Sequence, residues 1–326
     1  MMNTKNSVKA IGLLSGGLDS TLAVKLMIEQ GVEVTAVNFV SPFCTCTRKG
    51  CKHEAGKVAK QFGVPVKIIA VGEDYIEMIK HPKHGYGSNM NPCIDCRIFM
   101  FKKAKTYMEE IGARFIFTGE VLGQRPMSQH RRAMNLIEKE SGLQRLILRP
   151  LSAKLIPLTI PEEHQWVDRE KLLDIQGRRR LPQIELAKKM GVIDYPCPGG
   201  GCRLTDPQFA KRLKESFKYG EDTIRDIQLL KYGRHVRLLS GAKVIVGRNE
   251  EENKALLQFM NPEDIALEVI GTGSPIVLLQ KQKDIDDIRQ AADICIHHSD
   301  TDNRDDVVLK IKHGYDHEEI LKYASL

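Results

Sequence analysis

Over the first 150 residues, short runs rich in β-branched residues alternate with longer stretches of helical period. "VKAIGLLS", "VEVTAVNFV", "PVKIIAV", "FIFTGE" and "LILRPL" read as strands, and helix-like stretches at 18–30, 51–62, 93–111 and 128–140 separate them. This alternation leaves few arrangements. Parallel strands need long crossovers, so the strands form one sheet and the helices cover both its faces. The expected fold is α/β, a doubly wound parallel sheet. Ligands of such sheets sit beyond the carboxyl ends of the strands.

Residues 161–190 read as helical, with three arginines at 178–180, before "DYPCPGGGCRLTDP" breaks all regularity. From 206 a helix-like stretch leads into "HVRLL", "AKVIVGR", "IALEVI", "PIVLLQ" and "VVLKI", with helical runs near 249–258 and 284–297. This pattern predicts a second, smaller α+β domain, so the chain divides into 1–210 and 211–326. The N-terminus lacks an apolar core of signal-peptide length and no run reaches the length of a membrane span. A cytoplasmic protein without a membrane partner is expected.

The net charge of +7 is uneven. Residues 1–210 carry 31 Lys+Arg against 21 Asp+Glu, residues 211–248 carry 10 against 4, and residues 249–326 carry 8 against 17. A basic surface spanning the end of the first domain and the start of the second suits a polyanion such as RNA. A solvated basic face is the alternative.

"LLSGGLDSTLAV", residues 13–24, joins the first strand to the first helix. There, backbone N–H groups and a helix N-terminus make a phosphate site. Gly16 and Gly17 permit close approach, and Ser15 and Ser20 add hydroxyls. Asp19 repels phosphate unless a cation bridges them, which implies Mg²⁺. No Gly-Lys-Ser/Thr follows, so this is not a Walker loop.

Eight cysteines stand at 44, 46, 51, 93, 96, 197, 202 and 295. In a reducing compartment, clustered thiols bind metal or do sulfur chemistry rather than form a disulfide framework. Cys295, in an apolar helical run, reads as a buried small hydrophobe.

Ser15-Gly16-Gly17-Leu18-Asp19-Ser20 resembles the PP-loop of the N-type ATP pyrophosphatases, which have the adenine nucleotide alpha hydrolase-like fold. That resemblance implies ATP bound by Ser15, Gly16, Gly17, Asp19 and Ser20. "TGEVLGQRP" resembles the strand end that contacts the nucleotide, implying Thr118 and Gly119. "NMNPCIDCRIFM" resembles the Asn-Pro-x-x-x-Cys signature of the ThiI-, MnmA- and TtuA-like tRNA thiolases, with Cys96 at the reactive position and Cys93 beside it. "YPCPGGGCRLTDP" resembles the second-cysteine segment of ThiI-like thiolases, implying Cys202, with Cys197 as the alternative. The resemblance covers about residues 8–210. It implies an enzyme, a tRNA sulfurtransferase that adenylates a uridine carbonyl and replaces its oxygen with sulfur, giving 4-thiouridine or 2-thiouridine.

Asp19, Cys93, Cys96 and Cys202 are its candidate catalytic residues. Sulfur can travel as a persulfide, which needs two thiols. It can also bind the open iron of a [4Fe-4S] cluster on three, for which Cys93, Cys96 and either Cys202 or Cys197 have the count. The two pairs Cys93/Cys96 and Cys197/Cys202 also suit Zn²⁺. Cys44, Cys46 and Cys51 form a second metal site, a sulfur relay or a variable loop. The implied partners are tRNA and a sulfur donor, either free sulfide or a cysteine desulfurase or sulfur carrier. The oligomeric state is open, a homodimer included.

Residues 232–312 resemble the NFACT-R RNA-binding domain, most clearly at Gly247-Arg248-Asn249 and Asn253. They depart from it at Ile265, Ala266 and Glu268. Arg234, Arg237, Lys243 and Arg248, with Arg178, Arg179 and Arg180, are the expected phosphate contacts. Two rival readings remain: an amide-forming PP-loop ligase, and a non-catalytic RNA-binding protein.

Overall fold

The computed structural model describes residues 7–44, 50–192, 195, 202–301, 306–315 and 317–326, and side chains within this set except at 50–53. Cys46 and Cys197 lie outside the described residues, as does the side chain of Cys51. The chain divides into two compact units, Met1–Pro207 and Gln208–Leu326.

In the first unit, β1 (Lys9–Leu13), α1 (Leu18–Glu29), β2 (Glu33–Val40), α2 (Gly50–Phe62), β3 (Val66–Ala70), α3 (Glu73–Lys80), α4 (Cys93–Glu110), β4 (Phe115–Thr118), α5 (Arg131–Ser141) and β5 (Ile147–Leu148) follow in order. The strands pair in parallel in the order β3-β2-β1-β4-β5. Side chains alternate across the sheet, so neighbouring residues of one strand enter different cores. Ala10, Val34, Ala36, Phe115 and Phe117 pack under Leu22 and Met27 of α1 and Val58 of α2. Ile11, Val37, Ile116 and Ile147 face Phe101 and Ala104 of α4 and Ile137 of α5. Helices on both faces make the sheet doubly wound, as the alternation predicts.

The stretch 161–190 departs from expectation. It holds α6 (Ile160–Glu163), a 3₁₀ turn at Arg169–Lys171, and α7 (Leu181–Lys189). Gly177, at φ +84°, lies between them. The arginines at 178–180 therefore sit on the connection that enters α7, with Arg180 as its N-cap.

The second unit begins with α8 (Pro207–Lys218, its first residue at the division) and α9 (Ile224–Leu229). It continues through β6 (Arg234–Arg237), β7 (Lys243–Val246), α10 (Glu250–Gln258), β8 (Ile265–Val269), β9 (Val277–Gln280), α11 (Ile285–His297), β10 (Val308–His313) and β11 (His317–Lys322). Its strands form an antiparallel sheet in the order β11-β10-β8-β9-β7-β6. Val244, Leu267, Val277 and Leu279 meet Ile288, Ala291, Ala292 and Cys295 of α11. Ile245, Ala266 and Leu278 meet Leu229 of α9 and Leu256 of α10. Cys295 is a core residue. Among the described residues, no helix is long and apolar enough to cross a membrane.

Candidate functional site

The strand order reverses at β1, which lies between β2 and β4. Two connections that leave in opposite directions open a crevice at the carboxyl ends of β1 and β4. The Ser-Gly-Gly turn and the Thr118-Gly119 pair line that crevice. Gly16 takes φ +80°, and a Cβ on it would lie 2.8 Å from that of Glu54 on α2. A Cβ on Gly119 would lie 2.4 Å from the Asp19 carbonyl carbon and the Ser20 nitrogen. Only glycine at 119 lets the end of β4 touch the first turn of α1.

The hydroxyls of the turn shape it. Ser20 Oγ donates to the Gly17 carbonyl at 2.9 Å and lies 3.1 Å from Ser15 Oγ. Ser15 Oγ accepts from the Gly17 amide at 3.3 Å. The Thr118 hydroxyl accepts from the Glu120 amide at 3.1 Å, and Thr118 is buried. Asp19 Oδ2 accepts from Gln124 Nε2 at 3.0 Å and stands 4.0 Å from Arg180 Nη2. Asp19 Oδ1 is buried without a hydrogen-bond partner. A buried carboxylate oxygen left open is costly, and a hard cation is the partner that suits it. Of the three arginines, Arg180 turns toward the nucleotide turn, whereas Arg178 and Arg179 are exposed. The amide of Gly177 bonds to the Leu122 carbonyl at 2.7 Å, which holds this connection against the loop after β4.

The described cysteines of this unit gather at the same end of the sheet. Cys93 and Cys96 occupy the first turn of α4. The loop before α4 is fastened to the segment carrying Cys202. The Met90 amide bonds to the Leu204 carbonyl at 3.1 Å, and Asn89 Nδ2 to the Thr205 carbonyl at 2.7 Å. Cys44 lies opposite Cys202 in an isolated antiparallel bridge. The Tyr75 hydroxyl on α3, itself buried, lies 3.0 Å from Cys96 Sγ. Burial pushes the Cys96 thiol up to about 11, against the Tyr75 hydrogen bond and the Arg97 charge. Burial likewise pushes Cys202 up to about 12. As free thiols both stay protonated at neutral pH and are poor nucleophiles. The donors are of the soft type that iron and zinc take as thiolates. Among the described residues, however, no three His, Cys, Asp or Glu side chains are arranged to hold a metal ion.

Side chains that pattern reading passed over join the two halves of the site. Glu120, next to Gly119, binds Arg97 Nη2 at 2.7 Å and Arg149 Nε at 3.0 Å. Burial alone would raise the Glu120 carboxyl, but the two guanidinium groups outweigh it and hold the group below its ordinary value. Arg97 follows Cys96, so this buried cluster ties the cysteine turn to the end of β4. Across the loop, His84 Nδ1 lies 2.9 Å from Asp95 Oδ1 and Nε2 lies 3.2 Å from Glu140 Oε1. No sequence signal marks these partners, because each acts through a residue far along the chain.

In the second unit, Arg237 and Lys243 are not surface contacts. Both turn inward to Glu221, at 2.6 Å and 2.9 Å, and Lys243 is only 3% exposed. The strand period puts their side chains on one side of the paired β6 and β7, where a buried carboxylate requires cations. Arg234 is exposed. Arg248 is half-exposed and pairs with Glu252.

Residues 5–154 match the family described as Thiamine biosynthesis protein (ThiI). Residues 233–326 match the NFACT protein RNA binding domain. A probable tRNA sulfurtransferase of Thermococcus kodakarensis is 30% identical over 186 residues, 57% of this chain and 42% of its own length. The tRNA-specific 2-thiouridylase MnmA of Fervidobacterium nodosum is 35% identical over 229 residues, 64% of this chain and 60% of its own. The chain thus spans about two-fifths to three-fifths of the length of these relatives. Among solved structures, the U34-tRNA thiolase NcsA from Methanococcus maripaludis with its [4Fe-4S] cluster is 20% identical at a TM-score of 0.35, covering 71% of this chain and 75% of that one. That likeness is too distant to assign ligands here. Two family matches thus divide the chain, ThiI over residues 5–154 and the NFACT protein RNA binding domain over residues 233–326, each over less than half of its length.

Proposed function

We propose that this protein is an ATP-dependent tRNA sulfurtransferase. The reading rests on one observation: the Glu120–Arg97 contact ties the first turn of α4, with Cys93 and Cys96, to the end of β4, where Gly119 packs against the PP-loop turn. A phosphate site alone would serve any PP-loop ligase, but an amide-forming enzyme has no use for thiols beside it.

ATP would lie over Gly16 and Gly17, with its phosphates at the N-terminus of α1. Asp19 would hold Mg²⁺ through its open Oδ1, drawing charge from the departing pyrophosphate. Arg180, beside Asp19, offers a further positive charge to the phosphates. The uridine carbonyl oxygen attacks the α-phosphorus, pyrophosphate leaves, and the oxygen becomes part of an adenylate that sulfur displaces with AMP. Cys93, Cys96 and Cys202 would hold the [4Fe-4S] cluster, which supplies an open iron for sulfide. Burial disfavours Cys96 and Cys202 as free thiolates, and metal binding reverses that. Arg178 and Arg179 are the tRNA contacts of this unit, and Arg234 and Arg248 those of the other. A cytoplasmic location follows from this substrate.

A persulfide on Cys96 or Cys202 is the second reading, favoured by the lack of a three-donor group among the described residues. Purification without oxygen, followed by iron and acid-labile sulfide assays, divides the two. About four irons per chain supports the cluster; an iron-free protein that still thiolates supports the persulfide. The function is tested by incubating the protein with unmodified tRNA, ATP, Mg²⁺ and either sulfide, which serves a cluster, or a cysteine desulfurase with cysteine, which delivers persulfide sulfur, then measuring thiolated nucleosides by mass spectrometry. Thiouridine with pyrophosphate release is expected, and its loss in Cys96→Ser. ATP turnover without thiolated product sinks the proposal.

A further inference from the structure

Cys44 and Cys202 stand directly opposite each other in an isolated antiparallel bridge. The Arg203 amide donates to the Phe43 carbonyl at 3.0 Å. That hydrogen bond joins residues flanking the two cysteines, which is the pattern of a non-hydrogen-bonded pair. In such a pair the Cα atoms lie about 4.5 Å apart and the side chains leave the same face at close range. A disulfide spans Cα separations of about 4.4–6.8 Å. Both residues are free cysteines and both are partly exposed. Cys44 Sγ lies 3.5 Å from Ser41 Oγ, and a thiol is a weak hydrogen-bonding group that gives up such a contact easily. Cys96 Sγ lies 3.0 Å from the Tyr75 hydroxyl.

We propose that Cys44 and Cys202 are a reversible disulfide pair, closed by a small-molecule disulfide and opened by a dithiol. The Cys44 thiolate attacks one sulfur of the small disulfide, forming a mixed disulfide and releasing one small thiol. Cys202, a poor nucleophile while protonated but held opposite Cys44, then attacks the Cys44 sulfur, and its proton passes to the second small thiolate as it leaves. Two protein thiols are oxidised to one disulfide while the external disulfide is reduced to two thiols. The consequence for activity rests on the proposed function. With Cys202 locked to Cys44, sulfur delivery stops, while the PP-loop turn stays intact.

The test treats the reduced full-length protein with oxidised glutathione, blocks remaining thiols with iodoacetamide, and maps peptides without reduction. A peptide linked through Cys44 and Cys202, cleaved by dithiothreitol, is expected. Cys44→Ser and Cys44→Ala should both lack it, with Cys202 recovered unlinked. Alkylation of both residues after oxidant, a lasting glutathione adduct on Cys44, or linkage of Cys202 to another cysteine overturns the pair. In a thiolation assay, oxidant should abolish product in the parent protein and spare it in Cys44→Ser. A linked peptide in a protein that never thiolates tRNA leaves the disulfide pair standing and removes the sulfurtransferase reading instead.

Discussion

Gly119 marks the closest approach of the two elements that build the nucleotide crevice. Its substitution by alanine would set a methyl carbon against backbone atoms of Asp19 and Ser20, which cannot swing aside as a side chain can. Gly119→Ala is expected to cost about 1–3 kcal/mol from overpacking and to displace the first turn of α1. Thermal melting should fall by several degrees, and ATP-dependent pyrophosphate release should be lost; release at the parent rate would show that the close approach does not matter. Asp19 is the other decisive residue. Asp19→Asn removes the charge that its open oxygen offers a cation, so Mg²⁺ titration of pyrophosphate release should shift to at least tenfold higher concentration. Sequence alone gave reason to single out Asp19. It gave none for Gln124, 105 residues away, which holds the other oxygen.

At the scale of elements, β6 and β7 carry a buried charge cluster whose balance depends on Glu221. Glu221→Gln would leave Lys243 and Arg237 without their shared counter-ion, at a cost of about 3–5 kcal/mol, read as a lower urea midpoint. Acid acts in the same sense. Burial, with Lys243 and Arg212 nearby, pushes His235 down to about 3. The unfolded chain binds that proton near pH 6.5 and the folded unit does not. Stability is therefore complete above 6.5 and declines as pH falls toward 3, by up to about 1.4 kcal/mol per pH unit. Glu221, held below its ordinary value by Arg237 and Lys243 against the effect of burial, adds a loss at lower pH. His235→Gln should flatten the decline between pH 6.5 and 5 in denaturant titrations; an unchanged slope would assign the acid sensitivity elsewhere.

Elements were legible wherever one period dominated. The β-branched runs became strands and the apolar stripes became helices. β11 was not read, because its exposed edge position tolerates "HEEILK", in which charge obscures alternation. The run 161–190 reads as helical, but Pro161, Gly177 and Pro182 divide it into short pieces. α3 was missed because eight residues carry too little periodic signal to separate from a loop.

For the whole molecule, a net charge of +7 concentrated before residue 249 predicts salt-sensitive tRNA binding. Arg178→Ala with Arg179→Ala should weaken binding and make the plot of log affinity against log salt shallower by about one to two. ATP binding without tRNA should be unchanged. Equal slopes for the parent and double variant would remove both arginines from the interface.

The sequence by itself determined the class of each unit, the place of the nucleotide turn and the presence of a thiol pair on a helix start. Those properties are written in local periodicity and short spacings, which the chain carries before it folds. Only the tertiary structure decided which charges face inward and which cysteines meet. Lys243 finds Glu221 across 22 residues, and Cys202 finds Cys44 across 158. Such meetings depend on strand register and loop closure, and a one-residue slip of a strand would send the same side chain to the opposite face.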